Sequence, residues 1–344
     1  MILGFNMALD TTCLFTLTDS LRFIWELTHR CNESCIHCCA NASARGDEEL
    51  STGQIKQAFG NLAERDWGSF YASGGEPMVR EDFLELLQIA STHIPSRNIN
   101  FATNGKAITP RFAKQVAGLN LGTALVSLDG YNPETAKLFR GPQTAYNDAV
   151  NAMRLLSEEG IRVRLGVVIW AGNYQHLEDF ARIGYENGAH TVFFNWLMPV
   201  GRAGTNSNLQ VSPSLYLPIA QEILDIKSQY SSRVEIGYHR FGLISANSGE
   251  CQAGRRILHC LPDGTVTPCS WLYKADPTMA SRKKLHEAPL DEILQEEPFC
   301  NVQRIIDQRR QKGVGPGCLA VCKLFTGSYM GYDPLYDGKG AWVR

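Results

Sequence analysis

The sequence predicts an α/β protein with a parallel sheet flanked by helices, followed by a smaller C-terminal region rich in loops and cysteines. Three observations carry this reading. Between residues 22 and 200, six short β-rich runs alternate with amphipathic stretches. Strands that alternate with helices form parallel sheets, because each crossover helix returns the chain to the same edge. The connections are short and carry the Gly, Asn and Asp that tight turns require. Past residue 200 the alternation stops, and cysteines recur at 251, 260, 269, 300, 318 and 322.

Taken in order, RFIWEL at 22–27 is the first strand and 52–64 its helix; SFYAS at 69–73 is followed by a helix over 82–93. NINFAT at 98–103 pairs with a helix over 109–119, TALVSL at 123–128 with 144–159, and RVRLGVVIW at 162–170 with 177–186. TVFFNWLM at 191–198 closes the series. After the Gly/Asn-rich break GRAGTNSNLQ, a further helix is expected with Ser212 as N-cap and Pro213 at its first position. A short strand, VEIGY, then precedes a hairpin, RRILHCLPDGTVTPC, that turns at Pro-Asp-Gly, and the remainder reads mostly as loop. The expected units are an N-terminal extension at 1–20, a core at 21–205, a linker helix at 206–232 and a C-terminal domain at 233–344.

Composition bounds the function. With 344 residues, 44% hydrophobic and 20% charged, the chain can bury a sizeable core and is neither disordered nor fibrous. A formal net charge of -2 supplies no basic field for nucleic acid or an anionic membrane. There is no spanning apolar run and no basic segment before an apolar one at the start, so a cytoplasmic protein is expected. Eleven cysteines, an odd number and clustered, suit metal or redox chemistry better than a secreted disulfide framework.

Directly after the first strand stands Cys31-Asn-Glu-Ser-Cys35-Ile-His-Cys38, in the loop at a strand's C-terminal end, where ligands collect in parallel α/β folds. Three thiolates suit an iron–sulfur cluster with one iron unclaimed, and that iron is free to bind a small molecule. A structural zinc site, which closes with four ligands, fits the triplet poorly. Cys39 is expected to be a packed thiol, and His37 to pack or to tune the cluster by hydrogen bonding.

The triplet and the loops that follow it resemble the radical S-adenosylmethionine (SAM) superfamily. Gly74-Gly75-Glu76-Pro77 follows the second strand, Thr103-Asn104-Gly105 the third and Ser127-Leu128-Asp129-Gly130 the fourth; Arg140-Gly141 and Leu197-Met198-Pro199 come later in the expected order. Each segment alone reads as a turn or a surface charge; their succession after consecutive strands carries the resemblance. It implies a partial (β/α)6 TIM-like barrel and a [4Fe–4S] cluster on Cys31, Cys35 and Cys38. It also implies SAM held by Gly74, Gly75, Glu76, Pro77, Thr103, Asn104, Ser127, Asp129, Arg140 and Met198. The bound amine wants carboxylate and carbonyl acceptors, its carboxylate a guanidinium, and its ribose small polar partners. The implied reaction is reductive cleavage of SAM to a 5′-deoxyadenosyl radical that abstracts a substrate hydrogen, with electrons from a donor such as ferredoxin or flavodoxin.

Cys251, Gly264 and Cys269 resemble the opening of the SPASM and twitch extensions of the same superfamily, and Cys318 and Cys322 a closing C-x3-C pair. The full SPASM pattern carries a further C-x2-C and a terminal Cys; the first is missing here and Tyr336 stands at the second position. One auxiliary [4Fe–4S] cluster on Cys251, Cys269, Cys318 and Cys322 is therefore implied, with Cys260 as competitor for a place and a four-cysteine zinc knot as the alternative. Cys13 and Cys300 are isolated thiols. Sulfatase-maturing relatives have an acidic residue where Ser270 stands, which argues against formylglycine formation.

The segments WELTHRCNESCIHCCANA and MPVGRA look most like the branch of PQQ and mycofactocin peptide maturases and modified-haem synthesis enzymes. A peptide substrate, oxidised or crosslinked, ranks above a small molecule such as a tetrapyrrole. About 20 residues precede the first strand, so a leader-peptide-binding module is expected from a separate protein. Trp271 and Tyr273 read as cavity lining or as core, and Arg255-Arg256 and Arg309-Arg310 as partners of substrate carboxylates or as solvated charges; none is assigned to the site. The competing classes are an iron–sulfur electron-transfer or scaffold protein and a zinc-stabilised binding module.

Overall fold

The computed structural model describes residues 20–46, 48–62, 67–238, 251–314 and 317–333. Among these residues nine strands form one sheet: β1 (Leu21–Glu26), β2 (Trp67–Ser73), β3 (Ile99–Thr103), β4 (Thr123–Ser127), β5 (Val163–Ile169), β6 (Thr191–Trp196), β7 (Glu235–Tyr238), β8 (Ile257–Cys260) and β9 (Val266–Thr267). Their order is β7-β6-β5-β4-β3-β2-β1-β8-β9, parallel throughout except for the β8–β9 pair. This is the mostly parallel core of a partial TIM-like barrel. The C-terminal ends of β1 to β6 share one end of the sheet, so the loops that follow them converge.

The intervening helices are α1 (Thr52–Gly60), α2 (Phe83–Ser91), α3 (Pro110–Ala117), α4 (Pro133–Arg140), α5 (Ala145–Glu158), α6 (Leu177–Glu186) and α7 (Tyr216–Gln229). Local chemistry sets their starts. Ser51 and Gln54 form a reciprocal capping box on α1, and Thr109 caps α3 ahead of Pro110. Buried faces of these helices pack on strand side chains such as Phe23, Phe70, Phe101 and Phe194, all fully buried. Each such side chain contributes about 1.5–3 kcal/mol relative to exposure.

Four features depart from the sequence reading. Helix α4, which the periodicity does not single out, is nucleated by an Asn132–Thr135 capping box with Pro133 at its start, and it stops at Gly141 with φ +103°. Ser212 does not cap a helix: its Oγ meets Ser214 Oγ at 2.9 Å, residues Pro213–Leu215 make one 3-10 turn, and α7 begins at Tyr216. The cause is Pro218, which has no N–H and is tolerated in the first turn of a helix but would break one begun at 213. The predicted hairpin forms as β8 and β9, with Gly264 at φ +86° in its turn, but β8 also pairs parallel with β1, placing Ile257 opposite Arg22. Finally, the tail is not mostly loop. It carries α8 (Ser270–Ala275), α9 (Leu290–Ile293), α10 (Glu297–Gln311) and α11 (Leu319–Thr326), whose apolar positions were too short or too interrupted to stand out. No helix among the described residues is long and apolar enough to cross a membrane.

Candidate active site

The loop after β1 folds back on itself, held by hydrogen bonds of its own main chain and thiols. Cys31 N–H donates to Ser43 O (2.8 Å), and Cys38 N–H to Cys35 O (3.2 Å). Glu33 N–H and Ala42 N–H donate to the sulfurs of Cys31 and Cys38, each at 3.4 Å, and Cys35 Sγ donates to Glu33 Oε2 at 3.5 Å. Burial pushes the Cys31 thiol up to about 11 and Cys35 higher still. These thiols therefore keep their protons until a metal takes their place, as iron does. Among the described residues no group of three or more His, Cys, Asp or Glu side chains converges on one metal position. The donor chemistry of the loop nonetheless fits a cluster: three soft sulfurs on one short segment, with spare polar capacity beside them. Glu33 Oε1, His37 Nδ1 and Arg140 Nε are buried without a hydrogen-bond partner. His37 itself stacks on Phe139 at 4.0 Å, and burial lowers it to about 4, so it is neutral.

The next two loops meet the first. Gly75 N–H and Glu76 N–H donate to Thr28 O (2.7 Å) and Arg30 O (2.9 Å), stitching the Gly74–Pro77 segment to the cysteine loop. A Cβ on Gly75 would collide with the Arg30 carbonyl oxygen. Gly75→Ala is accordingly expected to cost about 1–3 kcal/mol, read as a lower midpoint in urea unfolding. Glu76 is buried; Oε2 accepts from Asn104 N–H (2.6 Å) and Oε1 from Met78 N–H (3.1 Å). Burial outweighs those bonds and raises its carboxyl to about 7. Pro77 opens a 3-10 turn, Thr103 Oγ1 accepts from Gly105 N–H (3.0 Å), and Asn104 Nδ2 reaches Asn32 Oδ1 in the cysteine loop (2.6 Å).

Ser127 ends β4, half-buried. Asp129 just beyond is 1% exposed, with Oδ1 accepting from Val168 N–H (2.7 Å) and Oδ2 from Arg140 (2.6 Å). Arg140 is no solvated charge: it is buried, and its other arm reaches Glu33 Oε2 at 3.1 Å. Its carboxylate partners are thus supplied by the chain itself, and they outweigh burial to keep it charged. Met198 packs with Val200 in an apolar cluster against which Cys39, from the cysteine loop, and the C-terminal thiols also pack.

There, Cys251, Cys269 and Cys318 share one apolar cluster with Leu272, Met279 and Val302. Cys269 and Cys318 stand at the first ends of α8 and α11, and Cys322, one turn into α11, is fully buried. Burial, with Cys318 and Cys269 adding to it, pushes Cys251 up to about 12. Cys39, next to Cys38, packs against this same cluster. Cys260 instead lies within the core of the sheet, and Cys300 is buried on α10, packed as expected. Cys13 and Tyr336 lie outside the described residues.

Three groups escaped the sequence reading. Glu33, inside the triplet, is the bridge between Cys35 and Arg140. Arg202, visible only as part of MPVGRA, holds the cysteine loop by its carbonyls. Glu26 at the end of β1 gathers Lys274 Nζ (2.6 Å), His29 Nε2 (2.7 Å) and His259 Nε2 (3.2 Å), fastening α8 and β8 to β1. Burial would raise Glu26, but Lys274 and then the two histidines hold it well below the usual carboxylate range. Spacing gives no signal for the pairs of Glu26 with Lys274 and His259, whose members lie more than 200 residues apart.

The chain is similar in sequence and in fold to known proteins. The model of the radical SAM superfamily matches residues 25–183. Mycofactocin maturase MftC of Mycobacterium ulcerans is 32% identical over 338 residues, covering 92% of this chain and 88% of that protein. MftC of Mycolicibacterium smegmatis is 33% identical over 255 residues, 71% of this chain, but the match spans 63% of that relative's length. The AdoMet-dependent heme synthase of Methanosarcina barkeri is 26% identical, with 93% and 97% covered. In fold, Streptococcus suis SuiB, solved with its precursor peptide SuiA, superposes with a TM-score of 0.75 at 15% identity, covering 92% of this chain and 75% of that one. On the family model and the near full-length relative, the chain belongs to the radical SAM superfamily.

Proposed function

We propose that this enzyme modifies a peptide by hydrogen abstraction, oxidising or crosslinking it as a maturase. Family membership implies SAM and a [4Fe–4S] cluster, and we assign that cluster to Cys31, Cys35 and Cys38. When bound and reduced, the pair supplies a carbon-centred radical; every other task falls to the chain. The observation that carries the reading is the meeting of three βα loops, in which Asn104 bonds both Glu76 and the cysteine-loop residue Asn32. In this reading Gly74, Gly75, Glu76 and Pro77 receive the amine of SAM, and Thr103, Asn104 and Ser127 orient its sugar. Asp129 and Arg140 brace the loop through Glu33, and Met198 closes the adenine side. The packed surroundings keep water from a reactive species.

We place an auxiliary [4Fe–4S] cluster on Cys251, Cys269, Cys318 and Cys322, within a C-terminal region at 233–344 joined by residues 206–232 to the core at 21–205. A low-potential donor such as ferredoxin or flavodoxin in the cytoplasm would deliver electrons, and a separate protein would present a leader peptide. The maturase relatives at 32–33% identity favour a peptide. A tetrapyrrole is the second reading, favoured by the heme synthase match over 93% of the chain.

Anaerobic reconstitution, iron counting and a dithionite-driven assay for 5′-deoxyadenosine test the chemistry. About eight irons with product is the expected result. About four with product leaves the C-terminal thiols to zinc or packing, and full iron with no product favours electron transfer. Glu76 adds a pH signature. Its carboxyl is raised to about 7, and only the ionised form attracts an ammonium. SAM binding is therefore expected to weaken by roughly tenfold between pH 8 and pH 6, measured by equilibrium dialysis of the reconstituted enzyme. In Glu76→Gln that dependence disappears.

A further inference from the structure

The loop after β6 grips the three-cysteine loop by its main chain. Arg202 N–H donates to Cys38 O at 3.0 Å, its Nε to Cys35 O at 2.7 Å and a terminal guanidinium nitrogen to Ala42 O at 2.7 Å. One residue thus holds three carbonyls across the Cys35–Ala42 turn. The preceding Gly201 sits at φ +58°, and a Cβ there would collide with the carbonyl oxygens of Cys38 and Cys39, so only glycine permits this approach. Gly201 and Arg202 lie in a 3-10 turn, Gly201–Thr205, in which Thr205 Oγ1 bonds Arg202 O at 3.0 Å. Upstream in the same segment, Met198 and Val200 pack on the cluster that contains Cys251, Cys269 and Cys318.

We infer that Gly201-Arg202 is a positioning clamp that fixes the Cys35–Cys38 turn for its cluster and keeps a permanent cation beside it. The inference rests on the assignment of that cluster to Cys31, Cys35 and Cys38. A guanidinium fork can hold two carbonyls at once in a fixed plane, whereas a lysine ammonium keeps the charge but not the fork.

The test compares wild type, Arg202→Lys and Arg202→Gln in the full chain. In metal-free protein, amide hydrogen exchange at Cys38 and Ala42 is expected to accelerate about tenfold in Arg202→Gln and less in Arg202→Lys, with β2 to β5 unchanged. In reconstituted protein, removal of iron by a chelator should accelerate in the same order. The midpoint potential of the catalytic cluster, followed by electron paramagnetic resonance, should move more negative in Arg202→Gln and return in Arg202→Lys. A purely structural residue would not produce that return. Unchanged exchange and iron retention in both variants overturns the clamp, even where wild type carries the cluster and Cys35→Ala loses it. Faster exchange in the variants of a wild type that takes no iron at these cysteines overturns the cluster assignment instead. If Arg202→Gln fails to fold, Arg202→Lys decides on the exchange and chelator readouts.

Discussion

Cys35→Ala is expected to abolish 5′-deoxyadenosine formation, a loss of at least about 1,000-fold, and to lower bound iron by roughly half, from about eight to about four per chain. With two thiolates left on the loop, a cubic cluster has too few protein ligands to stay. The fold should tolerate the change. Cys35 is only partly buried, and the hydrogen bond of its thiol, to Glu33, is long at 3.5 Å. The urea midpoint of the metal-free variant is therefore expected to match wild type within about 1 kcal/mol. Cys260→Ala provides the contrast. That thiol is fully buried in the core of the sheet, so its removal should cost stability and leave the iron count untouched. Persistent SAM cleavage in Cys35→Ala sinks the catalytic assignment.

Arg140→Met is the second large effect, and its target is stability. Arg140 links Glu33 Oε2 at 3.1 Å with Asp129 Oδ2 at 2.6 Å, and all three side chains are at least 94% buried. Attraction offsets desolvation while the triad is whole. Removing its one cation leaves two carboxylates close together and uncompensated, at a cost of about 3–5 kcal/mol. Denaturant unfolding reads this directly. The triple variant with Glu33→Gln and Asp129→Asn should recover at least half of the loss, because neutral amides need no counter-charge. Recovery would assign the penalty to charge, whereas failure to recover would assign it to lost packing. Cluster loading should suffer in parallel, since Glu33 lies between Cys31 and Cys35 and connects α4 to their loop.

Much of this was legible in the chain. The six strand–helix units, the cysteine triplet and the glycine-bearing loops after β2, β3 and β4 are local patterns, fixed by alternation, turn chemistry and spacing. Family membership followed from them. Cys251, Cys269 and Cys318, far apart in sequence, were grouped by resemblance, and the fold packs them together. Helix α4 was missed because the longer α5 fills the place of the single helix expected between β4 and β5. The start of α7 was misplaced because one proline signal, Pro213, was read without the second, Pro218.

By itself, the sequence determined where strands and helices alternate, which thiols share a loop, and which loops lie at the same end of a parallel sheet. Each follows from neighbours within a few residues along the chain. Only the tertiary structure decided that β8 continues the sheet beside β1, that Arg140 is a buried partner of Glu33 and Asp129, and that Glu26 collects Lys274, His29 and His259. It alone showed Arg202 fastened to the carbonyls of Cys35, Cys38 and Ala42. The reason is physical: burial and electrostatic pairing depend on distance in space, and no spacing along the sequence encodes which distant charge will neutralise a buried one.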